Sequence, residues 1–174
     1  GFLAGSSMIV LLFLFIAKQT GQLRPLGLSR RVKYDSKGIK PEDEKFWRDK
    51  GLRKRIDSCY INIQKAWSKQ DPTLAASFMS EGLLQDHERM IEEMIKEKER
   101  NIVSRVNVLE VKAIYAAPDR NEMRVSITGS MIDYIINIET NRLISGNKYK
   151  KGLLEERWWF IKRDGEWVAD QIYQ

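Results

Sequence analysis

The sequence predicts an α+β fold in which helices come first and a curved antiparallel sheet follows. Three observations support this prediction. Apolar residues recur at steps of three and four up to about Ile95, as in amphipathic helices, and alternate with polar residues from Val106 onward, as in strands. Helices and strands that are segregated along the chain are typical of α+β domains. Gly129 interrupts a long strand, which indicates a bulge or bend that curves the sheet.

Three helices are expected, after a helix start near Pro41, where acidic residues follow the proline. The first ends near Gln70 and carries the apolar stripe Leu52, Ile56, Cys59, Tyr60, Ile63 and Trp67. Asp71 is expected to cap a short second helix, and Ser80 is expected to cap the third. The apolar stripe of the third helix is Leu83, Leu84, His87, Met90, Ile91, Met94 and Ile95.

About four antiparallel strands should follow these helices. In chain order they are expected at residues 106–115, 123–136, 154–163 and 166–173. Residues 118–121 form a predicted turn, and Asp164-Gly165 is a hairpin turn of the kind that two-residue loops favour. Residues 137–151 are polar and are predicted to be a loop. Within the second strand, Gly129 interrupts the apolar alternation, which Ile132, Tyr134 and Ile136 then resume.

Residues 1–17 contain no charged side chain and predict a transmembrane helix. Residues 2–17 would rise about 24 Å, so residues upstream, or Lys18 reaching the headgroups, would complete a span of roughly 30 Å. A signal peptide would carry its basic residues before the apolar run, not after it. A buried helix would need a partner on every face, and an interfacial helix would need more polar residues than Ser6 and Ser7.

Positive charge is concentrated directly after this apolar segment. Between residues 18 and 55 there are 13 Lys or Arg against 5 Asp or Glu, whereas the rest of the chain has 17 against 19. The nearest basic residues are Lys18, Arg24, Arg30, Arg31 and Lys33. They predict that residues 52–174 lie on the cytoplasmic side of a bacterial membrane, or alternatively on the matrix side of a mitochondrial inner membrane.

Residues 18–51 are therefore expected to form a basic juxtamembrane linker and a helix start. The basic residues are either simply solvated or bound to anionic lipid headgroups, and the two interpretations are compatible. No nucleic acid partner is expected, because the charge adjoins an apolar segment and carries no recognition motif.

No catalytic, cofactor-binding or metal-binding residues are predicted, and the protein is not expected to be an enzyme. One cysteine, Cys59, excludes an intrachain disulfide, and one histidine, His87, excludes zinc sites built from several His and Cys. Both lie on apolar helix faces and are expected to be buried and structural.

Glu156 is expected to face the helices and to need a partner there. Asp133 is a candidate polar group in the cavity of the cone that the curved sheet would form, but a position facing solvent, opposite Ile132 and Tyr134, is favoured. An enzyme that uses Asp133 or His87 in this cavity is the least favoured hypothesis, because no convergent acid–base group is present.

Two blocks of the sequence resemble one known family. The first runs from Ile56 through Tyr60, Gln64 and Trp67 to Asp71. The second contains Ser145-Gly146, then Glu156-Arg157-Trp158-Trp159-Phe160, and finally Trp167 and Ile172. In their order and spacing these residues, over about residues 52–174, resemble the Tim-forty-four-like domain family. That family is named after a subunit of the mitochondrial inner-membrane translocase that anchors the import motor.

The resemblance implies a cone of helices and curved sheet similar to the cystatin-like and nuclear-transport-factor-2-like folds. It also implies membrane association and a role in protein translocation or membrane-complex assembly, with a translocation component or chaperone as partner. A single-span anchor before the domain is similar to the bacterial members of the family. Fold does not fix function, so the resemblance leaves the partner open.

An aromatic group is the strongest candidate for a partner surface or an apolar-ligand surface. Its members are Trp67, Tyr134, Trp158, Trp159, Phe160 and Trp167. Alternation divides Trp158 and Phe160 from Trp159 and Ile161, so both faces of that strand are apolar. One face should cover the helices, and the other should be covered by a protein partner, lipid, a second copy of the domain or terminal loops. An adaptor is the main hypothesis, and a lipid or apolar-ligand module using the cone cavity is the alternative.

Overall fold

The computed structural model describes the backbone of residues 33–35 and all of residues 39–174. The predicted transmembrane helix at residues 1–17 and the basic residues Lys18, Arg24, Arg30 and Arg31 lie outside the described residues. Lys33 is described by its backbone alone. Within the described part of the chain, no helix is both long and apolar enough to cross a bilayer.

Helices form the first half of the domain. A 3-10 turn at Pro41–Asp43 leads into the short helix α1, Glu44–Trp47, and then into the long helix α2, Lys50–Ser68. A 3-10 segment at Pro72–Phe78 precedes helix α3, Glu81–Lys96. The predicted succession of helices is therefore confirmed, with a 3-10 segment as the second of them.

Three side-chain caps set the starts of these elements. Asp49 accepts a hydrogen bond from the backbone nitrogen of Leu52 at 2.7 Å and begins α2. Asp71 accepts from the backbone nitrogen of Thr73 at 3.2 Å, and Ser80 Oγ accepts from that of Leu83 at 3.2 Å. The predicted caps at Asp71 and Ser80 are confirmed, since each satisfies a backbone donor that the helix start leaves unpaired.

The sheet follows the helices in sequence, apart from one short strand near the start. Its strands are β1 (Lys33–Asp35), β2 (Glu99–Ala116), β3 (Glu122–Asn137), β4 (Leu143–Gly146), β5 (Gly152–Arg163) and β6 (Glu166–Tyr173). They lie in the order β1-β2-β3-β5-β6, and β4 pairs with the last part of β3. All pairs are antiparallel except β1 with β2, which is parallel.

Most of the bulges in the described sheet lie in β2. This strand shifts register against β3 between Ser104 and Asn107, between Val108 and Glu110, and again before Tyr115. Such bulges bend a strand and increase its twist, so the sheet curves around the helices. The predicted α+β architecture of helices followed by a curved antiparallel sheet is confirmed.

The core lies between α2 and the inner face of the sheet, which is the face toward the helices. Trp158, Phe160, Met123 and Ile127 on that face are completely buried (0% exposed), as are Cys59 and Tyr60 on α2. Burying one such apolar side chain contributes about 1.5–3 kcal/mol relative to leaving it in water.

Two strands were not predicted from the sequence. β1 lies in the stretch interpreted as a linker, and β4 lies in the segment predicted to be a loop. Both are short, three and four residues respectively, so neither contains enough alternation to identify a strand. The folded unit also begins before the predicted boundary at residue 52, because Trp47 is buried in the core cluster.

Gly129 lies where the Tyr60 side chain of α2 packs directly on the sheet. A Cβ atom at this position would lie 2.2 Å from Tyr60 Oη and 2.7 Å from Tyr60 Cζ. Tyr60 is completely buried, and its ring lies 5.1 Å from that of Trp158. Because Gly129 has no side chain, the Tyr60 ring can occupy the space beside its Cα atom.

We expect Gly129→Ala to reduce the free energy of unfolding by about 1–3 kcal/mol, because the added methyl group overpacks the site. Gly82→Ala is the matched control, since a Cβ at Gly82 meets no atom within 4 Å. That variant should be as stable as the wild type or more stable by up to ~1 kcal/mol. Urea unfolding of the three chains measures the difference, and equal stability of Gly129→Ala and wild type would contradict the proposed close contact.

Candidate functional site

A row of buried polar side chains lies between α2 and the inner face of the sheet. We call it the inner polar row, and its members are Tyr60, Gln64, Trp67, Asn101, Asp133 and Glu156. None is more than 7% exposed. The first three lie on α2, where spacings of three and four residues place them on one helix face. The other three lie on β2, β3 and β5 with their side chains inward.

Glu156 forms one end of this row. Its Oε2 accepts a hydrogen bond from Trp158 Nε1 at 3.2 Å and a longer one from Gln64 Nε2 at 3.5 Å. The predicted inward orientation of Glu156 is confirmed, and the partners it needs are an indole and an amide. These donors compensate part of the cost of burying a carboxyl group.

Asp133 and Asn101 form the other end. Trp67 Nε1 donates to Asn101 Oδ1 at 2.8 Å, and Asn101 Nδ2 donates to Asp133 Oδ1 at 2.5 Å. The amide of Asn101 also donates to the backbone oxygen of Tyr134 at 3.1 Å. Helix α2 is thereby connected to both β2 and β3 by a continuous chain of hydrogen bonds.

Of the two positions considered for Asp133, the favoured one, facing solvent, is wrong, because the side chain is 5% exposed and lies on the inner face. In the sequence, the apolar positions of this strand change from odd to even numbers after Gly129. In the structure, β3 pairs with β5 without a register shift from Glu122 to Met131, and the bulges between β2 and β3 lie in β2. The alternation in β3 therefore continues through Gly129, and Asp133 points inward with Met131 and Ile135.

Asn101 was not identified from the sequence. The strand alternation could have identified it. Asn101 lies two residues before the buried Val103, and alternate residues of a strand point to the same face, so Asn101 lies on the inner face of β2. A buried indole such as that of Trp67 also requires an acceptor, and Asn is one of the side chains that provides it.

Tyr60 lies between the two acidic groups. Burial, together with the nearby carboxyl groups of Glu156 and Asp133, raises the pKa of Tyr60 well above its ordinary value. Its hydroxyl finds no hydrogen-bond partner among the described residues. The phenol therefore stays neutral at physiological pH. It occupies the space that the absence of a side chain at Gly129 leaves.

Cys59 and His87 are both buried, as predicted. Burial raises the pKa of the Cys59 thiol to about 11, so the thiol is protonated and unreactive at neutral pH. The His87 ring packs edge-on against Trp67 with ring centroids 5.3 Å apart. No group of three or more His, Cys, Asp or Glu in the described part of the chain could hold a metal ion.

The outer face of the sheet carries an aromatic and cationic surface. We call it the outer ladder, and it consists of Tyr115, Arg124, Trp159 and Tyr173. The Arg124 guanidinium lies 3.9 Å from the centroid of the Trp159 ring and 5.3 Å from that of Tyr115. Trp159 also packs against Tyr173 with centroids 5.0 Å apart. Glu122 Oε1 accepts from Arg124 Nη2 at 3.0 Å, which fixes the guanidinium over the indole.

The predicted aromatic surface is divided between core and surface. Trp67, Trp158, Phe160 and Trp167 are 8% exposed or less and belong to the core. Trp159 and Tyr134 are partly exposed, and Trp159 lies in the outer ladder. Of the predicted set, only these two have surface available for a partner, and their role in binding stays a prediction.

Comparison with known proteins supports the fold alone. No family model and no curated protein matches the chain. The intermembrane space region of the chloroplast protein ARC6 is similar, with a TM-score of 0.51 and 12% identity over 70% of this chain and 92% of that one. A candidate polyketide cyclase from Xanthomonas campestris pv. campestris has a TM-score of 0.33 and 13% identity, covering 68% and 91% of the two chains. Both identities are too low to transfer a function, and the Tim-forty-four-like resemblance stays a prediction.

We expect Asp133→Ala to reduce the free energy of unfolding by about 1–3 kcal/mol, because one N–H of the buried Asn101 amide loses its acceptor while the other still donates to the backbone oxygen of Tyr134. Asp170→Ala on β6 is the control, since Asp170 is partly exposed and its loss should cost less than about 0.5 kcal/mol. Denaturant unfolding monitored by tryptophan fluorescence measures both. If the two variants were equally stable, Asp133 would not be part of the connection between α2 and the sheet.

Proposed function

We propose that the protein is a membrane-tethered adaptor whose folded domain binds a protein partner on the outer ladder. The observation that carries this proposal is the Trp159 side chain, which lies partly exposed in the middle of the sheet's outer face under a fixed guanidinium. Trp, Tyr and Arg are the residue types that contribute most binding energy at protein interfaces. A pre-ordered group of all three loses little conformational entropy when a partner binds.

The tether in this proposal is the apolar segment at residues 1–17, with Lys18, Arg24, Arg30, Arg31 and Lys33 on anionic headgroups. The domain would lie on the cytoplasmic side of a bacterial membrane. The resemblance to the Tim-forty-four-like family suggests protein translocation or membrane-complex assembly as the process and a cystatin-like or nuclear-transport-factor-2-like cone as the finer fold class. A chaperone or translocation component is then the expected class of partner.

The alternative is a lipid or apolar-ligand module that uses the interior of the cone. The adaptor is favoured because the space between α2 and the sheet contains completely buried Tyr60, Trp158 and Phe160. An acyl chain entering there would have to displace these rings and separate the inner polar row, in which every member except Tyr60 hydrogen-bonds to another member. Leaving those polar groups unpaired beside an apolar ligand costs about 1–3 kcal/mol each.

The proposal predicts site-specific contact between Trp159 and a protein. A photoreactive phenylalanine analogue at position 159 of the full chain should produce one discrete cross-linked product in cells. The same analogue at Leu74, which is 56% exposed on the 3-10 segment, is the control and should produce none. The mass of the product separates a foreign partner from a second copy of this chain.

The double variant Trp159→Ser/Ile161→Ser tests the same surface without a cross-linker. Both residues are partly exposed on the outer face, so the fold should remain while co-purification of the cross-linked partner falls at least tenfold. Undiminished recovery of that partner, or equal cross-linking from positions 159 and 74, would contradict the outer ladder as the binding surface.

A further inference from the structure

A second exposed surface lies at one end of the sheet, away from the outer ladder. We call it the β4 tip, and it comprises residues 138–151, which connect β3 to β5 and contain β4. Four of its side chains are large, apolar and exposed: Ile138 (42%), Leu143 (48%), Ile144 (45%) and Tyr149 (87%). They are half of the eight large hydrophobic residues exposed in the described part of the chain, so exposed apolar surface is concentrated here.

The β4 tip is also basic. It contains Arg142, Lys148, Lys150 and Lys151 but one acidic residue, Glu139. Glu139 is already paired, because Lys98 Nζ lies 2.8 Å from its Oε1. The apolar side chains are therefore surrounded by cations whose charge the tip itself does not neutralise. A partner that complements this surface must be both anionic and apolar.

The tip has a fixed shape. The Asn147 side chain accepts hydrogen bonds from the backbone nitrogens of Tyr149 and Lys150, each at 2.8 Å. Gly146 has φ +84°, and a Cβ there would lie 2.4 Å from the backbone oxygen of Asp133. Tyr149 is thus held outward at the end of an ordered turn. Its contact with a partner would therefore cost little conformational entropy, because few further groups must become ordered.

The β4 tip lies at the end of the sheet where β2 begins, since Glu99 pairs with Asn137 and β4 pairs with Tyr134–Ile136. β1 is parallel to β2, with Lys33 beside Glu110 and Asp35 beside Lys112. Residues 18–32 can span at most about 50 Å, a length that allows this end of the sheet to reach a bilayer that holds residues 1–17.

We propose that the β4 tip docks on an anionic lipid bilayer, with Leu143, Ile144 and Tyr149 at headgroup level and the four basic side chains on lipid phosphates. Aromatic residues combined with Lys and Arg are the side chains that the membrane–water interface favours. The proposal rests on the membrane tether of the proposed function but not on its protein partner. It adds a second contact between the protein and the bilayer. This contact would set the orientation of the domain and leave the outer ladder accessible to a protein partner.

A fluorescence experiment on the full chain reconstituted in vesicles tests this contact. An environment-sensitive fluorophore is attached to Tyr149→Cys, and the matched control carries it on Leu74→Cys. Native Cys59 is completely buried with a pKa raised to about 11, so it should not react with the label. We expect the fluorophore at position 149 to shift to the blue in vesicles containing anionic phospholipid, and to be quenched by lipids with a quencher near the headgroup. At position 74 neither change is expected.

Charge variants distinguish an effect of the basic residues in the β4 tip from an effect of the overall charge of the chain. Lys148→Ser/Lys150→Ser/Lys151→Ser in the labelled chain should lower the ratio of docked to free tips roughly a hundredfold, since each basic residue contributes about 1 kcal/mol. Lys45→Ser/Lys50→Ser/Lys54→Ser removes the same charge from exposed positions near the opposite end, where Asp43 pairs with Arg120 of the β2–β3 turn. It should leave the signal at position 149 unchanged.

Each other outcome overturns the proposal. If the chain floats with the vesicles while position 149 remains in water, the tether stands and the docked tip is wrong. If the blue shift depends on protein density and not on anionic lipid, a second copy of the chain covers the tip. If the chain fails to float with any vesicle, the membrane tether itself is wrong.

Discussion

The contact between the Tyr60 ring and Gly129 sets how closely α2 approaches the sheet, and the rest of the domain depends on that distance. With any side chain at position 129, the Tyr60 hydroxyl would have to move. Helix α2 would then shift as a rigid element and separate Trp67 from Asn101 and Gln64 from Glu156, which are joined by direct hydrogen bonds. Packing in the interior and the polar connections across it are therefore coupled, as they are in closely packed cores generally.

This coupling assigns different tasks to the two faces of the sheet. The inner face carries two buried acidic side chains, Asp133 and Glu156, whose hydrogen bonds help to hold α2 in place. The two surfaces that we propose for binding are the outer ladder, where Arg124 lies over Trp159, and the β4 tip, where exposed apolar side chains lie among basic ones. An adaptor needs such a division, because a rigid interior keeps two separate surfaces in a fixed relative orientation.

Sequence periodicity was sufficient for the elements that are long and face the core. α2, α3, β5 and β6 were predicted close to their observed bounds, and the caps at Asp71 and Ser80 were identified from residue type. The error at Asp133 has a physical origin, which is that sequence cannot locate a bulge between two strands. The irregularity was assigned to Gly129 in β3, whereas the register shifts are in β2, so Asp133 was expected on the wrong face. Asn101 was missed because its importance depends on Trp67, a partner 34 residues away.

Hydrogen exchange of the tryptophan indole N–H groups, followed by NMR in the full chain, tests most directly whether the interior is closed. The chain has five tryptophans, which give separable probes. Trp67 and Trp158 donate to buried acceptors of the inner polar row, so their indoles should exchange only when the domain opens, at least about a thousandfold more slowly than the indole of Trp159 on the outer face. If the Trp158 indole exchanged as fast as that of Trp159, the interior would be open to water, and the cone cavity, not the outer surfaces, would become the leading candidate for the functional site.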